Sequence, residues 1–188
     1  MKRVLVSILL NSALFALPAE AKRVAGIDVP ESFESDGVSL VLNGAGIRSK
    51  YLLDVYVGGL YLKKTSTDAT AILGADERMA IKMWIVTGLI SNERMQESIE
   101  EGFQKSTREN TAPIREKIDA LIGVFDEEIN KEDAFELVYL PGQGLKIYKN
   151  GAYRAMVECG LPFKRALFGI WLSDRPVQTG LKRGMLGR

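Results

Sequence analysis

The sequence predicts an α+β fold, a large antiparallel sheet covered on one face by helices. Strand patterns occur in adjacent pairs separated by short turns, and strands joined in this way run antiparallel. Two amphipathic helical patterns lie in the middle of the chain, and two shorter helical patterns close it. This order of strands, helices, strands and helices is typical of a sheet whose helices are segregated to one side.

The first 21 of the 188 residues predict a secretory signal peptide, and residues 22–188 are then a single domain. Two basic residues begin the segment, an apolar run follows as far as Leu17, and Ala19-Glu20-Ala21 is a small-x-small cleavage site. The run is short for a membrane span of about 20 residues, so cleavage after Ala21 is favoured over a membrane anchor. We therefore expect a periplasmic or secreted protein without a transmembrane span.

The composition excludes several kinds of site. Residues 22–188 carry as many acidic as basic residues, so the overall charge indicates neither a nucleic-acid partner nor a general attraction to anionic membranes. The sequence has no histidine, which excludes Ser-His-Asp and Cys-His catalysis and the commonest metal ligand. Its only cysteine, Cys159, is interpreted as a small core residue. No metal, no cofactor and no particular protein partner are predicted.

The first hairpin is predicted from "VSLVLNGAGIR" (38–48) and "YLLDVYVGGLYLKK" (51–64). The second segment is rich in Val, Leu and Tyr, which is typical of a buried strand. The chain is expected to turn at Gly44 and Gly46, and these glycines lack the third glycine and the strand-to-helix context of a dinucleotide site. Residues 22–37 are polar and turn-rich, and we interpret them as a lead-in.

The middle of the chain predicts one further strand and three helices. Asp68 is a candidate cap for a short helix, and residues 78–86 alternate between apolar positions on one face and Lys82 and Trp84 on the other. Ser91 is a candidate cap for a helix that runs to about Lys105. A second amphipathic helix is expected after that.

The two middle helices are recognised by their spacing. Met95, Ile99, Gly102 and Phe103 lie on one face of the first helix. Thr111 is the expected cap of the second helix, with a proline in its first turn. Because adjacent side chains on a helix diverge, Glu100 and Glu101 are not interpreted as an acid/base pair.

The last third predicts two more strand pairs and two helices. "AFELVYL" alternates and stops at Pro141-Gly142. Asn150-Gly151 lies between two alternating runs, which is the strongest hairpin signal in the chain. Helices are expected from about Pro162 and from about Pro176.

Two motifs resemble a known family. "GAGIR" followed by "VYVGGLYL", and the tail "LPFKRALFGIWLSDRPVQTGLKRGMLG", are similar to the chalcone isomerase superfamily in the form of its bacterial secreted members. The resemblance extends from about Val24 to Gly187. It implies a large antiparallel sheet covered by helices, in agreement with the pattern of the elements.

The resemblance also implies positions for the site. In the plant enzymes an arginine holds or polarises the substrate, and Arg48 in "GAGIR" matches it. A threonine of the enzymes corresponds to Tyr56, which keeps a hydroxyl group. The enzymes' tyrosine, asparagine and late threonine or serine correspond to about Arg94, Glu101 and Ile170, and all three are lost. Because the cyclisation needs a stabilised oxyanion and an organised proton source, flavonoid chemistry is not expected.

The candidate ligand-binding residues are therefore Arg48, Tyr56 and Arg94. The resemblance implies an alternative to catalysis, because non-enzymatic relatives bind fatty acids with an arginine and a tyrosine at the carboxylate and the tail in the cleft. A guanidinium matches a carboxylate with two parallel hydrogen bonds. The leading hypothesis is a non-catalytic protein that binds a small, fatty-acid-like amphipathic anion in the cleft between sheet and helices.

Other interpretations stay open at the level of sequence. The protein could be an isomerase or intramolecular lyase acting on an enone-type substrate, or a structural protein whose cleft is filled by its own side chains. Arg48 could be a surface charge paired with Asp54 or Glu158. Arg94 could be a solvated residue in the first turn of its helix, and Trp84 and Trp171 could line the cleft or belong to the core.

Overall fold

The computed structural model describes residues 21–188, which form nine strands, five α-helices and two short 3-10 helices. The strands are β1 (Ala21–Val24), β2 (Ile27–Pro30), β3 (Ser32–Ser35), β4 (Val38–Lys50), β5 (Leu53–Leu62), β6 (Met79–Ile85), β7 (Ala134–Leu140), β8 (Gly144–Lys149) and β9 (Ala152–Val157). The α-helices are α1 (Ala69–Gly74), α2 (Asn92–Thr107), α3 (Arg115–Ile122), α4 (Leu161–Leu172) and α5 (Thr179–Met185), and the 3-10 helices are Ala112–Ile114 and Gly123–Phe125. The predicted signal peptide lies outside the described residues, except for Ala21.

Strands β3 to β9 form one seven-stranded sheet in sequence order, and every neighbouring pair is antiparallel. The α-helices pack on one face of this sheet, which confirms the predicted α+β fold. The lead-in is more regular than its composition indicates, because it forms β1, β2 and β3. Strands β1 and β2 pair with each other, and Val29 of β2 is fully buried in a second, smaller core on the opposite face of the sheet.

Strand β6 shows how one sequence pattern serves both cores. Met83 and Ile85 face the helices, together with the other odd-numbered residues of the strand. Ala80 and Trp84 face the smaller core, so Trp84 does not reach the cleft. The alternation predicted for residues 78–86 is therefore confirmed.

The helix caps follow the predictions with one exception. The Asp68 carboxylate accepts hydrogen bonds from the first turn of α1, and the Ser91 hydroxyl accepts one from the Arg94 amide of α2. Thr111 precedes the 3-10 helix Ala112–Ile114 and makes no side-chain capping bond, so α3 begins only at Arg115. The α-helix starts later than expected because Ile114, with φ of −127° and ψ of 14°, departs from helical geometry between the 3-10 turn and α3.

A buried lysine links the two helices α1 and α4. The Lys164 ammonium donates to three carbonyl oxygens at the end of α1, those of Ile72 at 2.5 Å, Leu73 at 3.2 Å and Ala75 at 2.8 Å. Burial and the neighbouring Arg165 lower the pKa of the Lys164 amine to about 8. At neutral pH it is still mainly charged, and it satisfies carbonyl groups that the end of a helix leaves without partners.

The glycines of "GAG" do not form a turn, contrary to the expectation from sequence. Strand β4 continues through Gly44 and Gly46, and the chain turns only at Tyr51-Leu52. Both glycines face α5, whose backbone lies directly on them. A Cβ atom at Gly46 would lie 3.1 Å from the Leu181 carbonyl oxygen, and one at Gly44 would overlap the carbonyl of Gly184. Glycine is needed here because it lets a helix backbone approach a strand backbone.

We expect Gly184→Ala to reduce the free energy of unfolding by about 1–3 kcal/mol, because its Cβ atom must displace strand backbone. That atom would lie 2.7 Å from the Ala45 carbonyl oxygen and 2.9 Å from the Gly46 Cα atom. The matched control is Gly180→Ala in the same helix, where the nearest atom within 4 Å is Gln178 Nε2 at 3.9 Å. The control should be neutral or stabilise by about 0.5–1 kcal/mol. Urea unfolding measures both variants, and equal effects would contradict the close contact of α5 with β4.

Candidate ligand-binding site

Arg48 and Tyr56 are direct neighbours across strands β4 and β5. The antiparallel register pairs their Cα atoms, and β-carbons in such a pair lie about 4.5–5.5 Å apart. Gly46 and Arg48 are two residues apart and therefore face the same side, toward the helices. Helix α5 begins just after Gln178, beside Arg48, so the helix covers the glycines while the arginine side chain stays partly exposed.

Gln178 holds the Arg48 side chain in place. Its Oε1 atom accepts a hydrogen bond from Arg48 Nη1 at 3.1 Å and one from the Ser49 amide at 2.9 Å. Arg48 Nη1 also donates to the Ser49 carbonyl oxygen at 2.8 Å. Both bonds of the guanidinium use Nη1, so Nη2 and Nε have no protein acceptor among residues 21–188.

The interpretation of Arg48 as one half of a surface ion pair is not supported. No carboxylate among residues 21–188 lies within ion-pair distance of its guanidinium, and neither Asp54 nor Glu158 is a partner. The Asp54 carboxylate instead accepts a hydrogen bond from the Ser49 hydroxyl at 2.8 Å. The positive charge of Arg48 is therefore not neutralised by any neighbour that the structure describes.

Tyr56 is buried, with 6% of its surface exposed, and its hydroxyl oxygen accepts a hydrogen bond from Trp171 Nε1 at 2.9 Å. Burial raises the pKa of Tyr56 to about 12, although the Trp171 hydrogen bond and the charge of Arg48 act in the opposite direction. The phenol is thus protonated at neutral pH. No group in the described part of the chain accepts its proton, so Tyr56 is a donor with a free hydrogen.

An open cleft of about 530 Å³ brings the three sequence-predicted residues together. It lies between the β4–β5 hairpin, the segment after β6 and the first turns of α2. Arg48, Tyr56 and Arg94 all line it. Its polar part also includes Lys50 and Glu97, and its apolar wall consists of Leu53, Val55, Leu89, Ile90 and Met95.

Arg94 contributes to the cleft from the first turn of α2. Its side chain is exposed, and it makes no ion pair with any carboxylate among residues 21–188. The side chain of Arg94 is therefore solvated, as its place in the first turn of the helix predicts. The same residue also lines the cleft to which Arg48 contributes.

The space between the sheet and the helices is smaller than the sequence led us to expect. Behind Tyr56 only about 30 Å³ remains, enclosed by mainly apolar side chains that include Met83, Ile170 and Trp171. Ile170, at a position where the resemblance implies a hydroxyl in the enzymes, presents only hydrocarbon to this space. Glu101 is exposed on α2 and lines neither space, while Glu100 pairs with Arg115.

Two residues of the site were not identified from sequence. Lys50 lies two positions after Arg48, and the strand alternation that relates Gly46 to Arg48 could have indicated it. Gln178 is 130 residues away in sequence from Arg48, and no local signal connects them. Trp171 was named as a possible lining or core residue; it is buried and also donates to the Tyr56 hydroxyl.

Other chemistries find little support in the described residues. Among residues 21–188, no group of three or more potential ligands could hold a metal ion. Burial raises the pKa of the Cys159 thiol to about 11, so this cysteine is not an activated nucleophile. No helix in residues 21–188 is long and apolar enough to cross a membrane.

Comparisons with known proteins agree with the fold. Residues 21–187 match the model of a protein family described as chalcone isomerase-like. Among solved structures, an Arabidopsis thaliana fatty-acid binding protein is similar, with a TM-score of 0.68 and 21% sequence identity over 86% of this chain and 92% of that chain. No curated protein sequence matches the chain. At this level of identity, the structural similarity establishes a common fold.

We expect Tyr56→Phe to reduce the loss of stability that occurs at alkaline pH. The unfolded chain releases the tyrosine proton near the ordinary pKa of 10.0, whereas folded Tyr56 retains it to about 12. Folding therefore becomes less favourable as the pH rises through this window, by about 2–3 kcal/mol for this group. Urea unfolding between about pH 8 and pH 12 measures the slope.

The control for this titration is Tyr153→Phe, because Tyr153 is 58% exposed and lies on β9, an edge strand of the sheet four strands away from β5. Tyr61 and Tyr139 also have a raised pKa, mainly through burial, so part of the slope should remain in every variant. Identical slopes for the wild type and Tyr56→Phe would show that the Tyr56 hydroxyl is not desolvated.

Proposed function

The chain belongs to the chalcone isomerase-like family, and we propose that it binds a small amphipathic anion of the fatty-acid type without catalysing a reaction on it. One observation carries this proposal. Arg48, whose guanidinium has no carboxylate partner, and Tyr56, whose hydroxyl donates to no described group, are paired across β4 and β5, and both line a cleft with an apolar wall. The Arabidopsis protein of similar fold, a fatty-acid binding protein, supports the same ligand class.

The polar end of the cleft suits a carboxylate. Arg48 retains donors on Nη2 and Nε, and these can form two parallel bonds with the two oxygens of a carboxylate. The Tyr56 hydroxyl supplies a further donor from a buried position, where a hydrogen bond is stronger than in water. Gln178 fixes the guanidinium beforehand, which reduces the entropy lost on binding. Arg94 adds a second positive charge at the mouth.

The apolar wall provides the place for the tail. The cleft of about 530 Å³ falls within the range of about 300–1,000 Å³ that small-molecule pockets occupy. The inner space of about 30 Å³ is too small for an alkyl chain. We therefore place the tail along Leu53, Val55, Leu89 and Ile90, on the outer side of Tyr56, and the carboxylate between Arg48 and Tyr56.

The absence of catalysis is supported by the identity of the side chains around Tyr56. A cyclising enzyme needs an organised proton source near the oxyanion, and the chain has Ile170 in one of those positions. Tyr56 itself, with a pKa of about 12, holds its proton too firmly to act as a base near neutral pH. The predicted signal peptide further supports export, so we propose that the ligand is met in the periplasm or outside the cell.

We expect the mature protein, purified from its native compartment, to retain a stoichiometric fatty acid in native mass spectrometry. Arg48→Ala should lose it, because an unpaired carboxylate in an apolar cleft is strongly disfavoured. Tyr56→Phe should weaken binding of an added fatty acid about tenfold, in line with the loss of one hydrogen bond to a charged group. The matched control is Arg154→Ala on β9, a cationic residue remote from the cleft.

The alternative to a binding protein is an isomerase or lyase, and the same experiments distinguish the two. A protein that is empty and also binds no added fatty acid would overturn the proposal. The same two donors could instead polarise a ketone oxygen, as an isomerase or intramolecular lyase acting on an enone-type substrate requires. That second function predicts turnover of enones that falls in both Arg48→Ala and Tyr56→Phe, and a screen of such substrates would detect it.

A further inference from the structure

Four hairpins have the same turn geometry, a two-residue loop with positive φ at both positions. In three of them the second residue is glycine: Ala25-Gly26, Asp36-Gly37 and Asn150-Gly151. The fourth is Tyr51-Leu52, with φ of 51° and 67° and no glycine. Asn-Gly is the preferred pair for such a turn. Bulky side chains are disfavoured at positive φ, so Tyr-Leu makes the β4–β5 turn less favourable than it could be.

The side chains of the β4–β5 turn do not compensate by packing. Tyr51 is 88% exposed and Leu52 is fully exposed. The structure describes five exposed large hydrophobic residues among residues 21–188, and four of them lie around the mouth of the cleft. We call these four the apolar rim: Tyr51, Leu52, Leu53 and Leu89. Neither the preference of the turn nor packing in the core accounts for these four exposed apolar side chains.

Positive charge accompanies the apolar rim. Arg48, Lys50 and Arg94 line the cleft beside it, whereas Glu97 is the one carboxylate among the described lining residues. The Lys50 ammonium lies 5.8 Å from the centre of the Tyr51 ring. Asp54 of the same hairpin and Glu93 of α2 are exposed carboxylates nearby, so the excess of positive charge is confined to the lining of the cleft, in a chain that is nearly neutral as a whole.

We infer that the apolar rim docks the protein on an anionic lipid bilayer, with the mouth of the cleft facing the membrane. Leucine side chains enter the acyl region, tyrosine lies at the headgroup level, and lysine and arginine bind lipid phosphates, which is the arrangement of interfacial membrane proteins. This inference rests on the proposed function and deepens it by naming the source of the ligand. A fatty acid would pass between the bilayer and the cleft without crossing water.

The bilayer is favoured over a protein partner by the shape and chemistry of the surface. The rim is small, and its side chains are between 49% exposed at Leu53 and fully exposed at Leu52. Lipid acyl chains can accommodate such side chains without a complementary pocket. The cations next to it match lipid phosphates. Its continuity with a cleft that suits an amphipathic anion connects docking with ligand exchange.

The test is co-sedimentation of delipidated mature protein with vesicles of phosphatidylcholine and phosphatidylglycerol, compared with phosphatidylcholine alone. The decisive variant is Leu52→Gly, because glycine suits the positive φ of 67° and should leave the thermal midpoint unchanged or raised. We expect binding to the anionic vesicles, weakened by added salt. Leu52→Gly should weaken it about tenfold, and Tyr51→Asn/Leu52→Gly should weaken it further.

The control is Tyr153→Ser, which removes an exposed aromatic side chain near the Asn150-Gly151 hairpin and should bind vesicles like the wild type. Wild-type protein that fails to bind anionic vesicles, or Leu52→Gly that binds equally well, would overturn the inference. A dimer in sedimentation velocity that Leu52→Gly dissociates would also overturn it, in favour of a second copy at the rim. Specific capture of a protein on the rim would do the same.

A displacement assay with a fluorescent fatty acid in solution separates the two proposals. Leu52 does not line the cleft, so Leu52→Gly should bind the probe normally while its binding to vesicles is weakened. Binding of the probe without binding to vesicles would support the proposed function and contradict docking on a membrane. Vesicle binding without probe binding would retain the docking surface and overturn the fatty-acid proposal.

Discussion

The close approach of helix α5 to strand β4 is the contact on which the rest of the site depends. Gly44 and Gly46 remove side chains from the strand, and Gly184 removes one from the helix, so two backbones meet where a Cβ atom would not fit. A helix of seven residues is not stable by itself and needs such packing. Asn43, an extra residue in β4, completes the contact by donating to the Met185 carbonyl at 2.8 Å.

This contact explains the spacing of "GAGIR" in physical terms. Alternate residues of a strand share a face, so two glycines are followed by an arginine on the same side of the sheet. The glycines lie under the helix and the arginine lies just beyond its first turn. There Gln178 accepts a hydrogen bond from the guanidinium and holds it beside Tyr56. The motif therefore makes room for the helix and places Arg48 just beyond the first turn of that helix.

The interior and the mouth of the fold have different roles. Between sheet and helices, large apolar side chains fill the space, and Trp171 donates a hydrogen bond to the Tyr56 hydroxyl there. This filling stabilises the domain and leaves no room for a substrate there. At the mouth, the hairpin and the start of α2 diverge, and the side chains are charged or exposed. Binding at the mouth is compatible with a rigid core, because the ligand does not have to displace packed side chains.

The sequence by itself determined the fold class, the strand alternation of β6, the α2 cap at Ser91 and the identities of Arg48, Tyr56 and Arg94 as candidates, because these follow from local periodicity and from the quoted motifs. Only the tertiary structure decided that the glycines of "GAG" pack against helix α5 and that residues 21–35 add strands. It further decided that Lys164 donates hydrogen bonds to the last carbonyl groups of α1. It also decided that Gln178 and Trp171 hold the site residues in place. Apart from the added strands, these features join segments as far as 142 residues apart, and no short-range pattern can specify which distant backbone or side chain will meet a given residue.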